Sequence, residues 1–172
     1  LIIRNARLPD AGTDKPPVDI GVREGIIVAV EPGLSAEGPA HDAGGKLIEL
    51  ADATPAKKYA WRPNKQTRSV AEVYMHVVMT NYMLPGIVGV QSPVAIDMKT
   101  FEKSTTDKTQ IVQMLKDSFA FAKSAIDQQA DDHLNDPVMM FGNTSTRLGA
   151  LMILVNHSHE HLGQSIAYPG VN

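Results

Sequence analysis

The 172-residue sequence contains no cysteine. Disulfides, thiolate metal sites and cysteine nucleophiles are therefore excluded together. A cysteine-free chain without an export signal fits the cytoplasm. No run approaches the ~18 apolar residues of a membrane span. The opening Leu1-Ile2-Ile3-Arg4-Asn5 has neither the apolar core nor the cleavage site of a signal peptide. It also lacks an initiator Met, which leaves room for residues upstream. Lys and Arg form no stripe, and a formal net charge of -3 gives no nucleic-acid footprint. There is no internal repeat, no low-complexity segment, no serine nucleophile elbow and no phosphate-binding glycine loop. What is present is ordinary. With 43% hydrophobic and 20% charged residues, the chain can bury a core without staples, as one domain or two small ones.

The chain has two grammars. Residues 1–8 are short, apolar and branched, residues 18–23 alternate apolar with polar, and residues 26–30 are apolar again, so three strands are expected. Glu24-Gly25 is a hairpin signal between the last two. Residues 9–17 and 32–45 carry the prolines and glycines of loops, and residues 46–50 fit strand or helix equally. From about residue 50 the period becomes helical. Residues 54–65, with two prolines, read as a connector. Ser69-Val70-Ala71-Glu72 is a capping box opening a helix from 70 to about 84, stopped at Pro85-Gly86. Ile111, Met114, Leu115, Phe119, Ala122 and Ile126 recur at helical spacing, so a second helix runs from Thr106 or Asp107 to about 128. Asp136-Pro137 marks a turn. Thr144 or Ser145 is expected to cap a last helix ending near Tyr168, about 36 Å long at ~1.5 Å per residue.

Six histidines are present, and three crowd into Asn156-His157-Ser158-His159-Glu160-His161. At ~100° per residue, His157 and His161 share a helix face while His159 points away. That face carries Ala150, Ile153 and Leu154 before the pair, then Gln164, Ser165 and Tyr168 after it. An apolar stripe thus turns polar at two imidazoles, whose burial without a partner is unfavourable and which a divalent ion would satisfy. A third ligand must come from elsewhere, and His76, amid apolar residues of the first capped helix, is the best candidate. A lone histidine there would more often be a satisfied core residue; the i, i+4 pair on another helix raises the metal reading above it. His41 and His133 read as surface, and His159 as exposed or packed on a partner subunit. Glu72, one turn before His76, is a possible base or orienting group, although its capping role is simpler. Gln164 is a possible hydrogen-bond partner near the ion, and Asn81 and Tyr82 are weaker candidates.

Residues 53–63, Ala-Thr-Pro-Ala-Lys-Lys-Tyr-Ala-Trp-Arg-Pro, followed by Arg68-Ser69-Val70-Ala71-Glu72-Val73-Tyr74-Met75-His76, resemble the first signature of the DinB-like family. His157-Ser158-His159-Glu160-His161-Leu162-Gly163-Gln164 resembles the second, at the expected separation. The resemblance covers about residues 50–168. It implies a four-helix, up-and-down type bundle with one metal held by His76, His157 and His161, in a family of metal-dependent hydrolases, thiol-cofactor transferases and members without known activity. Residues 1–8, 19–30 and 42–48 resemble instead the N-terminal strands of amidohydrolases such as cytosine deaminase. No His-x-His follows directly after Ile48, and the chain is too short for the ~200-residue barrel, so that activity is not carried over.

The expected protein is therefore α+β but mainly α: a small antiparallel β segment over residues 1–49, then a DinB-like bundle with a truncated first helix over residues 50–172. Truncation would bare an apolar face, for the strands or a second subunit to cover, making a homodimer the expected assembly. The expected cofactor is one divalent ion, zinc or nickel, with an open position where a water would ionise or a thiolate substrate would bind. The expected function is a metal-dependent hydrolase or thiol-dependent transferase acting on a small molecule. The alternative is a non-catalytic metal-binding or oligomerising scaffold produced by fusion of two family fragments.

Overall fold

The computed structural model describes the backbone of residues 2–6, 18–23, 26–31 and 43–170, and side chains from 43 to 168. The chain divides into two compact units, residues 1–42 and 43–172. The first holds β1 (Ile2–Ala6), β2 (Val18–Arg23) and β3 (Ile26–Glu31) in one antiparallel sheet of that order. Arg23 pairs with Ile26 across the β2–β3 connection. The hairpin signal at Glu24-Gly25, the loop of residues 9–17, and His41 lie outside the described residues.

The second unit is a ring of four helices. They are α1 (Ala43–Ala53), α2 (Val70–Met83), α3 (Lys108–Asp127) and α4 (Arg147–Gly170). α2 packs on α3 and α4, and α1 closes the ring by packing on the same two. Residues 43–50 are thus helical, although residues 43–45 read as loop and 46–50 were ambiguous. Gly44 explains the misreading: a Cβ there would stand 2.8 Å from the Phe119 ring, so glycine serves close α1–α3 approach and not a turn. At eleven residues α1 is the shortest helix, as a truncated first helix requires, yet it covers the face its loss would bare. Leu47 and Ala51 are fully buried, joining Met75, Val78, Ile111 and Leu115 in one core.

α2 starts where its capping box predicts. Ser69 Oγ accepts from the Glu72 N–H and the Glu72 carboxylate accepts from the Ser69 N–H. It is buried on nearly every side, as expected of a helix apolar all round. His76, Thr80 and Met83, at i, i+4 and i+7, are its more open positions. Asp107 caps α3 by accepting from the Gln110 N–H.

The start of α4 corrects an expectation. Thr144 and Ser145 are not caps. They lie in β5 (Asn143–Thr146), which pairs with β4 (Pro137–Met140) in a hairpin beyond the Asp136-Pro137 turn. The hairpin turns at Phe141 and Gly142, both at positive φ, 51° and 82°, as a tight two-residue connection demands. Thr146 takes the capping role instead, accepting from the Gly149 N–H at 3.1 Å. Among the described residues no helix is long and apolar enough to cross a membrane.

If α1 is an integral wall of the bundle, Leu47→Ala should destabilise the protein by about 2–5 kcal/mol. Urea unfolding followed by circular dichroism measures this, and a loss under about 1 kcal/mol would mean that α1 packs loosely.

Candidate metal centre

α2 and α4 face each other, and the three predicted histidines meet between them. His157 Nε2 lies 3.0 Å from His76 Nε2 and 3.1 Å from His161 Nε2. Ligand atoms of all three fall within 4.8 Å of one another, the one such three-residue cluster of metal-ligating types among the described residues. His161 is buried and the other two are half-buried. The i, i+4 spacing on α4 brings His157 and His161 ring centroids to 4.4 Å.

Hydrogen bonding around the cluster fixes where the imidazole protons sit. Glu102, on the short 3₁₀ turn Phe101–Lys103, places Oε1 2.6 Å from His76 Nδ1. The Arg68 guanidinium donates to the same carboxylate through Nε and Nη2, at 2.7 and 3.0 Å, which holds it ionised. An ionised carboxylate only accepts, so His76 Nδ1 carries the proton and its Nε2 is bare. On the other arm, the Tyr168 hydroxyl donates to the Arg68 carbonyl at 3.0 Å, so it accepts from Gln164 Nε2 at 2.9 Å. Gln164 then turns Oε1 to His161 Nδ1 at 2.8 Å, which must donate, leaving His161 Nε2 bare as well.

The three Nε2 atoms therefore converge, and burial favours the neutral form of His76 and of His157. Burial lowers the His76 pKa, aided by Arg68 and His161 and opposed by Glu102. His157 is pushed down to about 4, by burial first and then by His161, His76 and Arg68. Burial alone would raise Glu102, but Arg68 and His76 outweigh it and hold the carboxyl below its ordinary value. His157 Nδ1 is buried with no hydrogen-bond partner among the described residues. Thr80 Oγ1 donates to the His76 carbonyl at 2.8 Å and lies 3.5 Å from His157 Nε2, so its lone pairs remain available at the cluster.

The other candidates are placed elsewhere or in other roles. Both Glu72 oxygens are engaged away from the histidines, one by the Ser69 N–H at 2.8 Å and one by Arg62 at 3.1 Å. Gln164 stands beside His161 as weighed. Asn81 donates to Ser118 on α3, and Tyr82 stacks on Phe121 of α3 at 5.4 Å. His133 is exposed and pairs with Asp136, and His159 is exposed with Nδ1 3.0 Å from the Val155 carbonyl. Glu102 was missed. Its only sequence signal is the length of the α2–α3 connection, which exceeds what joining two helices needs.

Burial raises the Glu72 carboxyl, but the Ser69 N–H and Arg62 prevail and set it below the ordinary 4.5. A lowered folded pKa gives stability that is complete above the unfolded value and disappears as pH falls through the folded one. Glu72→Gln should therefore be less stable than the parent near neutral pH, with the gap closing as pH falls well below 4.5. Urea midpoints at both pH values test this; a gap independent of pH would mean the charge contributes nothing.

A family model described as the DinB superfamily matches residues 41–165. The fold is similar to a DinB-like protein from Bacillus cereus ATCC 10987, with 18% identity over 73% of this chain and 83% of that one, and a TM-score of 0.58. It is also similar to a conserved protein from Enterococcus faecalis, with 15% identity over 73% of this chain and 88% of the other, and a TM-score of 0.62. No curated protein matches the chain.

Proposed function

The chain belongs to the DinB superfamily, and from that premise we propose that it binds one divalent metal ion through Nε2 of His76, His157 and His161 and acts as a metal-dependent hydrolase or thiol-dependent transferase. The observation that carries the reading is the convergence of three imidazole Nε2 atoms, with that of His157 3.0 Å from His76 and 3.1 Å from His161. Without a cation their lone pairs repel, and a single proton on His157 can bridge only one neighbour at a time. Three neutral nitrogen donors suit zinc or nickel. Such an ion would supply Lewis acidity to a water or thiol brought to it.

This chain's own residues would do the rest. Glu102 and Gln164 hold the two outer protons and fix ring orientation, as partners of metal-bound histidines do. Thr80 Oγ1, its proton committed to the His76 carbonyl, can accept a hydrogen bond from an incoming hydroxyl or thiol. The cluster offers three ligands and no fourth among the described residues, which favours an enzyme over a closed structural site.

Elemental analysis of the protein purified without chelators should find near one equivalent of zinc or nickel, absent from His76→Ala and His157→Ala. Glu102→Gln should keep the fold and weaken metal affinity about 10–100-fold. Metal-free parent protein with equally folded variants would end the proposal.

A scaffold reading is favoured by one feature, the outer face of α4. Leu148, Met152, Val155 and Ile166 are 44%, 49%, 40% and 60% exposed, and with His159 and Leu162 they follow alternating four- and three-residue steps. That is the spacing of a helix–helix seam, and a second copy presents the same stripe. We therefore include a cytoplasmic homodimer in the proposal. We also propose that the small antiparallel sheet is an amidohydrolase-like strand segment fused to the bundle. Sedimentation should give a dimer that Met152→Glu converts to monomer; a monomeric parent removes the scaffold reading.

A further inference from the structure

The histidine cluster has a closed end and an open one. Three contacts fix how α2 and α4 pass each other. The Arg68 carbonyl accepts from Tyr168, the His76 ring lies 4.8 Å from that of His161, and Thr80 Oγ1 lies 3.5 Å from His157 Nε2. The two helices therefore run antiparallel across the site. Toward Arg68 the seam is closed by bonds already made, Glu102 on His76 and Gln164 on His161, with Tyr168 behind. Toward the end of α2 the next positions are Met83, at i+7 from His76, and Ile153, one turn before His157 on α4. Met83 is 36% exposed, and Thr80 and Ile153 are half-buried, so this end reaches solvent.

Neither wall of the open end carries charge. Residues 73–96 contain no Asp, Glu, Lys or Arg, and neither do residues 148–159. Ile153 packs on the buried Leu84–Leu154 cluster, so the wall is apolar to its base. The first charge beyond it on α4 is Arg147, about 15 Å from His157 along the helix. Arg147 is already engaged by the Val88 carbonyl and Gln129. Nearer the cluster, Arg68 and Glu102 are paired with one another behind His76, and Glu160 is exposed one turn before Gln164. A charged group entering along this wall would lose hydration and meet no counter-ion. An apolar one would cover Met83 and Ile153.

With the three histidines as the ligands of the ion, as read above, we propose that the molecule brought to it has an uncharged aliphatic or aromatic body. That body lies along α2 toward Met83, and Met83 sets the preference for it. Its unbranched, polarizable side chain adapts to bodies of different shape.

The test uses the full chain loaded with cobalt. Ligand-field absorption reports the three-histidine site, and a sulfur-to-cobalt charge-transfer band reports a bound thiol. Ethanethiol, propanethiol and butanethiol are alike in acidity and differ only in methylenes. Their affinity should rise about two- to fourfold per methylene. The compound 4-mercaptobutyrate, which is butanethiol with a carboxylate in place of its methyl, should bind at least about tenfold more weakly than butanethiol. Met83→Gln should keep the cobalt spectrum and the ethanethiol affinity but flatten the rise along the series, and Met83→Leu should restore it. A flat series in the cobalt-loaded parent, a preference for 4-mercaptobutyrate, or a rise unchanged in Met83→Gln would overturn the inference and leave the metal reading standing. A folded parent that takes up no cobalt would remove both.

Discussion

Three imidazole Nε2 atoms converge, that of His157 lying 3.0 Å from His76 and 3.1 Å from His161, an arrangement that only a cation or a shared proton relieves. The surrounding bundle is organised around keeping them there. α2 is buried on almost every side, so its few open positions are the only places from which a polar ring can reach a site without crossing the core. His76 takes one of them, and Thr80 the next turn. α4 brings two rings to the same place because four residues on a helix return nearly to the same face.

One residue ties the two arms of the site together. The Arg68 side chain holds Glu102 against His76, while its carbonyl receives Tyr168, whose hydroxyl orders Gln164 against His161. Arg68 immediately precedes the Ser69 cap. The local bonds that start α2 therefore also fix the point from which both histidine protons are assigned. The capping box sets a helix boundary and, through it, the register of α2 against α4. Glu72 closes the cap that follows Arg68 and is bonded to Ser69 and Arg62, away from the histidines.

What was legible in the sequence follows from how locally each feature is determined. The α2 start, the α3 stripe and the histidine pair are set by neighbours within four residues, and each reads directly from spacing. Gly44 looked like loop because its reason is a ring on another helix, Phe119, invisible to local pattern. Thr144 and Ser145 looked like caps because β-hairpin and helix-start residues overlap in type; the turn at Phe141-Gly142 decides between them through positive φ. Glu102 could not be found locally at all. It is a lone carboxylate whose role comes from the distance its 3₁₀ turn spans to reach α2.

The site is not symmetric, and the asymmetry bears on what it can do. His76 and His161 each have an outer nitrogen tied to a fixed acceptor, so their rings are oriented before any ion arrives. His157 has no such tie: its Nδ1 is buried and unpartnered among the described residues. Its ring is placed by α4 and by what occupies the centre. Two donors are thus preoriented by hydrogen bonds and the third by packing against their rings, at 4.9 Å from His76 and 4.4 Å from His161. On the proposed catalytic reading, an incoming group would meet His157 beside the available lone pairs of Thr80.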